Sequence, residues 1–117
     1  MRSHHFSAIL TITDAIASST APTLLQLLQT TVQTAGLTAV AEATATFFPQ
    51  GVSVVLLLEE SHVALHVWTE YCKATVDIHV CDYQQDNYAK AQKLAVLLAS
   101  ALTDSDRAQW HYLEITD

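Results

Sequence analysis

The sequence predicts an α+β fold: a two-layer sandwich, an antiparallel sheet with two helices packed on one face. Three observations predict it. Apolar residues alternate in several strand-length segments, they recur with helical spacing in two longer segments, and neighbouring strand segments are joined by stretches too short for parallel crossovers. The chain has 117 residues, a length that suits one domain, 1–117, with a core that needs no disulfide or metal staple.

Phe6, Ala8, Leu10 and Ile12 alternate with mostly polar residues and predict the first strand. Ser18 to Ala21 can supply a helix N-cap, with Pro22 in the first turn. Leu24, Leu25, Leu27, Leu28, Val32 and Ala35 keep helical spacing, and Gly36 stands where a helix-ending glycine belongs. Leu37 to Phe48 reads as a strand, Pro49-Gln50-Gly51 as a tight turn, and Val52 to Glu59 as a buried strand. Val63 to Thr69 and Ala74 to Cys81 give two more strands. Asp86-Asn87 can cap a second helix, whose apolar face is Ala89, Leu94, Leu97, Leu98, Ala101 and Leu102. Trp110, Tyr112 and Ile115 predict a last strand, so the order is β-α-β-β-β-β-α-β.

Composition narrows the function. Half the residues are hydrophobic and 15% are charged, which excludes intrinsic disorder. The 2 glycines, where roughly eight are usual, exclude Gly-rich low complexity. Twelve acidic residues against five basic ones give a net charge of −7, which argues against nucleic acid as a partner. Cys72 and Cys81 form no CxxC pair, which fits a reducing, cytoplasmic setting. The N-terminus carries no signal-peptide apolar region, and no apolar run approaches the ~18 residues of a membrane span. Six scattered histidines lack a metal-ligand pattern, so no metal is expected.

The chemistry-bearing residues stand on otherwise apolar strands: Ser53, Ser61-His62, His66 and Cys81. Taken singly, Ser53 can be a turn serine, His66 a sheet histidine and Cys81 a buried thiol. No GxSxG elbow supports a Ser/His hydrolase. His66 follows Ser61 by five residues, roughly 16 Å along a strand, so contact between them requires a bend near Ser61.

The order of these residues is more specific. Phe47-Phe48-Pro49-Gln50-Gly51-Val52-Ser53, then Glu60-Ser61-His62, then His66-Val67-Trp68-Thr69-Glu70-Tyr71, then Ala74-Thr75-Val76-Asp77 and Cys81, resembles the small prokaryotic S-adenosylmethionine decarboxylases. The match is continuous over 47–81 and keeps the family's spacing. The resemblance implies a proenzyme that cuts itself at the Glu60-Ser61 bond into chains 1–60 and 61–117. Ser61 then becomes a covalent pyruvoyl cofactor that serves as an electron sink for decarboxylation. It implies that His66 is the base of processing and that Ser53 assists. It implies too that Cys81 assists processing and then acts as general acid. It further implies that Phe47 and Trp68 contact the adenine and that Glu70 holds the ribose hydroxyls, and that processed protomers form a homodimer with sites near the interface. Two alternatives accompany this reading: an ornithine or arginine decarboxylase of the same chemistry, and an unprocessed paralogue that binds a nucleoside or a protein partner.

Three positions depart from the family pattern: Thr69 replaces a usual proline, and Cys72 and Asp82 replace usual glycines. Cys72-Lys73 and Asp82 are expected to lie next to elements that shape the pocket and so to bear on specificity.

Overall fold

A computed structural model of the chain describes residues 1–105 and 108–117. Strands β1 (Arg2–Thr11), β2 (Ala39–Thr46), β3 (Val52–Leu58), β4 (Ser61–Trp68), β5 (Lys73–Cys81) and β6 (His111–Thr116) form one sheet. Helices α1 (Asp14–Ala17), α2 (Ala21–Thr34) and α3 (Tyr88–Leu102) complete the fold. The six strands run in the order β2-β3-β4-β5-β1-β6, and every neighbouring pair is antiparallel. The predicted α+β sandwich is the observed architecture, with two short additions, α1 and a 3-10 turn at Thr69–Tyr71. The four-residue α1, capped by the Thr13 hydroxyl, is too short to announce itself by periodicity.

The alternation of each central strand decides which face is buried. Even-numbered residues of β1, β3 and β5 and odd-numbered residues of β4 from Val63 onward point to the helices. There they meet Leu24, Leu28 and Val32 of α2 and Leu94, Leu98 and Leu102 of α3. The apolar face of α3 is rotated from the sequence expectation. Ala91, Ala95 and Ala99 are buried, whereas Ala89 and Ala101 are not. Alanine is equally at home on either face, so it gives a weak signal of direction.

The caps follow the chemistry of the loops. Thr20 accepts the Thr23 N–H at the start of α2, and Gly36 takes φ +86° just past its end. At α3 the Asp86 carboxylate accepts the Tyr88 N–H. Asn87 instead turns its amide nitrogen to the carbonyls of Cys81 and Tyr83. Among the described residues, no helix lies on the opposite face of the sheet. That face carries Ser53, His62, His66, Thr75, His79 and Cys81, with apolar Ile9, Leu57, Leu113 and Ile115 exposed around them.

Candidate active site

The site begins at the hairpin between β3 and β4. Leu58 pairs with Ser61, leaving Glu59-Glu60 as a two-residue turn. Such turns favour Asn and Gly because they need positive φ. Here no glycine is present, and the positive φ falls on Ser61, at 146°. A side chain in that conformation costs of order 1–3 kcal/mol and persists only when its surroundings enforce it. The surroundings here are specific. The Glu59 N–H donates to the Thr38 carbonyl at 2.9 Å, and the Thr38 N–H donates to the Glu60 carboxylate at 3.2 Å. Glu60 is only 7% exposed. The Cys81 N–H donates to the Glu60 carbonyl at 2.8 Å, and the Ser61 hydroxyl donates to the Cys81 thiol at 3.2 Å. Cys81 therefore grips the Glu60-Ser61 linkage from both sides: its backbone on the carbonyl oxygen, its sulfur on the hydroxyl.

Ser53 and His66 form a second group. They are register partners across the same hairpin, and Ser53 Oγ lies 2.7 Å from His66 Nδ1. A turn at residues 59 and 60 fixes this pairing, because cross-strand partners then have numbers that sum to 119. His66 is engaged by Ser53 while Ser61 is engaged by Cys81. The five-residue separation along β4 remains, roughly 16 Å. The bend that contact between Ser61 and His66 required is not made.

The expected substrate residues gather on the Ser53–His66 side. Phe47, Gln50, Gly51, Ser53, His66, Val67, Trp68 and Glu70 line a cavity of about 460 Å³. Gly51 sits at φ +109° with the Phe47 side chain beside it, so the glycine lets the turn fold Phe47 over the cavity. Trp68 Nε1 donates to Thr75 Oγ1 at 3.3 Å, which fixes one edge of the indole. The Glu70 carboxylate accepts Gln50 Nε2 at 3.0 Å. Sequence reasoning misses Gln50, since a turn glutamine carries no signal until its partner is known.

The three departures from the family pattern are not among the residues that line the cavity. Cys72 adopts a left-handed φ of 52°, so the glycine usual there serves the backbone. Burial and the neighbouring Asp14 carboxylate push the Cys72 thiol up. Thr69 replaces a proline and ties its hydroxyl to the Ala17 carbonyl of α1 at 3.2 Å. Asp82 anchors an ionic group at the far end of β5: Arg2 Nε lies 2.7 Å from its carboxylate and His4 Nε2 lies 2.8 Å away. Burial alone raises the Asp82 carboxyl, but hydrogen bonds from Asn87 N–H, Arg2 and His4 bring it down to about 2. None of Cys72, Lys73 and Asp82 lines the cavity itself, but Lys73 is the register partner of Trp68, which does. His4, Asp82 and Asp86 are the one set of potential metal ligands within 4.8 Å of each other among the described residues, and the Arg2 guanidinium already pairs with both aspartates.

The arrangement of strands and helices is that of a known enzyme fold. The crystal structure of the adenosylmethionine decarboxylase from Aquifex aeolicus superposes with a TM-score of 0.79 and 24% identity, covering 97% of this chain and 88% of that one. The family model described as S-adenosylmethionine decarboxylase matches residues 10–110. The S-adenosylmethionine decarboxylase proenzyme of Persephonella marina is 30% identical over 84 residues, 72% of this chain and 63% of that protein. The proenzymes of Aeropyrum pernix and Aquifex aeolicus are 37% and 41% identical over 62 and 56 residues, covering 53% and 48% of this chain and 48% and 42% of theirs. The matched segments thus span less than two-thirds of each of these relatives. The chain belongs to the S-adenosylmethionine decarboxylase family.

Proposed function

We propose that the chain is a self-processing, pyruvoyl-dependent decarboxylase. Its substrate is S-adenosylmethionine, and its product is the decarboxylated aminopropyl donor for spermidine biosynthesis. The observation that carries this reading is Ser61: strained at φ 146°, its hydroxyl on the Cys81 thiol, and the preceding carbonyl held by the Cys81 N–H. In processing, Ser61 Oγ attacks the Glu60 carbonyl carbon and the peptide C–N bond breaks as the ester C–O bond forms. Negative charge develops on the oxygen that already accepts the Cys81 N–H. A base then removes the Ser61 α-proton, chain 1–60 leaves as a carboxylate, and hydrolytic loss of ammonia gives chain 61–117 its pyruvoyl end. Relief of the Ser61 strain favours the forward direction, because the product has no φ constraint at that carbon.

The pyruvoyl group supplies an electron sink when CO₂ departs. The chain's own residues do the rest. Cys81 holds the proton that replaces CO₂. Phe47 and Trp68 offer aromatic faces to a purine and a sulfonium. Glu70 exchanges its Gln50 partner for ribose hydroxyls.

One chain alone leaves these groups apart. The cavity and the Ser53–His66 pair lie roughly 16 Å from Ser61, farther than a hydrogen bond reaches. The proposal therefore includes a homodimer that stacks the open sheet faces, so that Ser61 and Cys81 of one protomer meet Ser53, His66 and the cavity of its partner. A two-fold axis makes both such sites at once. Exposed Ile9, Leu57, Leu113 and Ile115 give that face apolar area to bury. The free thiols of Cys72 and Cys81 support a reducing, cytoplasmic setting. Among the described residues no helix is long and apolar enough to cross a membrane.

Intact-mass analysis of the purified protein tests the first half: two fragments are expected, the second with a blocked end, and Ser61→Ala should leave one uncut chain. A parent chain that never cleaves overturns the reading. CO₂ release compared across S-adenosylmethionine, ornithine and arginine tests the second. Release from an amino acid alone replaces the substrate.

A further inference from the structure

His79 is a titratable group with no part in the proposed chemistry so far. It lies two residues before Cys81 on β5, on the same open face, and its Nε2 is 3.7 Å from Cys81 Sγ. Its ring stacks on His5 of β1 with centroids 4.1 Å apart and meets His62 of β4 edge-on at 4.9 Å. Both are its register partners on the two flanking strands. His5 is held in turn, its Nε2 lying 3.1 Å from Ser3 Oγ. Along β5 itself the open-face neighbours are Cys81 on one side and Asp77 on the other. The Asp77 carboxylate is engaged by the Ser7 hydroxyl. The imidazole is thus enclosed by two further imidazoles and a thiol, with its Nε2 aimed at the sulfur.

The geometry points to His79 as the proton partner of Cys81, a positioning residue that returns a proton to the sulfur each time the thiol has given one up. This rests on Cys81 being the general acid of the proposed function. When the Cys81 S–H proton passes to the substrate carbon, a thiolate remains. His79 takes a proton from bulk solvent, which keeps the hydroxide left behind, becomes imidazolium, passes the proton from Nε2 to the sulfur, and is neutral again. No net charge is gained over the cycle. Burial, then the His5 and His62 imidazoles, lower His79 below the ordinary histidine value, so its imidazolium gives the proton up readily. Between turnovers His79 is therefore the neutral imidazole, free to take up the next proton. Sequence alone gives no hint of this group, because its members come from three separate strands.

Iodoacetamide alkylation, followed cysteine by cysteine by mass spectrometry across pH 5 to 9, tests the coupling without substrate. Cys72 serves as the internal reference. In the parent chain the Cys81 rate should show an inflection below about pH 6.5, from the depressed imidazole, besides that of the thiol. His79→Gln and His79→Phe should both lose this inflection, with the Cys72 profile unchanged. An unaltered Cys81 profile in the two variants overturns the inference. If the variants disturb Cys72 as well, the parent profile decides alone, and absence of the imidazole inflection overturns it. The outcome is independent of decarboxylation. A parent that shows the coupling but releases no CO₂ removes the proposed function and leaves the proton exchange standing.

Discussion

At Cys72 a single dihedral angle accounts for what the side chain cannot. Its φ of 52° is the left-handed conformation that glycine adopts without cost and other residues adopt at roughly 1 kcal/mol. Cys72→Gly should therefore stabilise the fold by up to about 1 kcal/mol, read as a rise in urea midpoint in a Ser61→Ala background that stays uncut. Cys72→Ala keeps the strain and should give no rise. From sequence, this position reads as a change beside the pocket. The demand for positive φ arises from how β4, the Thr69–Tyr71 3-10 turn and β5 meet, which no local pattern reports. The Ser53–His66 contact is the opposite case. It follows from the hairpin register once the turn is placed at Glu59-Glu60, so both its residues and their pairing are legible.

At the scale of elements, the two edge strands differ from the four they enclose. β2 and β6 are exposed along their whole length, so alternation marks no buried face in either. The ends of β1, β5 and β6 are joined instead by charge. Arg2 reaches Asp82, Asp86 and Glu114, and the buried His4 bridges Asp82 and Tyr112. The Asp82 carboxyl sits at about 2 in the folded chain against an ordinary 3.8. A carboxyl lowered by folding stabilises the fold fully above its unfolded value and loses that contribution as pH falls through the folded one. Asp82→Asn should thus cost about 2 kcal/mol at pH 7, and the deficit should shrink between pH 4 and pH 2, as measured by urea unfolding. A deficit that persists unchanged at pH 2 would assign the effect to packing. The central strands of this fold are legible because β-branched and apolar residues alternate. The ionic group is not, because its members are as much as 112 positions apart in the chain.

For the whole molecule, the separation of Ser61–Cys81 from Ser53–His66 makes the assembly testable by mixing. Ser61→Ala protein lacks the nucleophile, and His66→Ala protein lacks the base. Each should stay uncut alone. Refolded together, they form mixed dimers in which Ser61 of the His66→Ala chain faces an intact His66 on its partner. Fragments should then appear from the His66→Ala chain only, for up to about half of the copies of that chain if pairing is random. Mixing that restores no cleavage would place all four groups in one protomer's site. The sequence resemblance carries the dimer as an expectation. The distance between the two pairs of residues turns it into a requirement of the proposed mechanism.

The two-residue turn at Glu59-Glu60 has one more consequence, in the topology of the product. A cut at Glu60-Ser61 opens the chain at the tip of a hairpin whose two arms remain paired from Leu58–Ser61 to Val52–Val67. The two pieces interleave, because β1, β2 and β3 lie in the first and β4, β5 and β6 in the second, while β1 is wedged between β5 and β6. The fragments are therefore woven into one sheet and stay together without a covalent link. What changes is how the protein comes apart: the uncut chain unfolds as one molecule, whereas the cut protein must release two, so its melting becomes dependent on concentration and its refolding second order. Under the proposed mechanism, folding is thus a step to be completed before the cut.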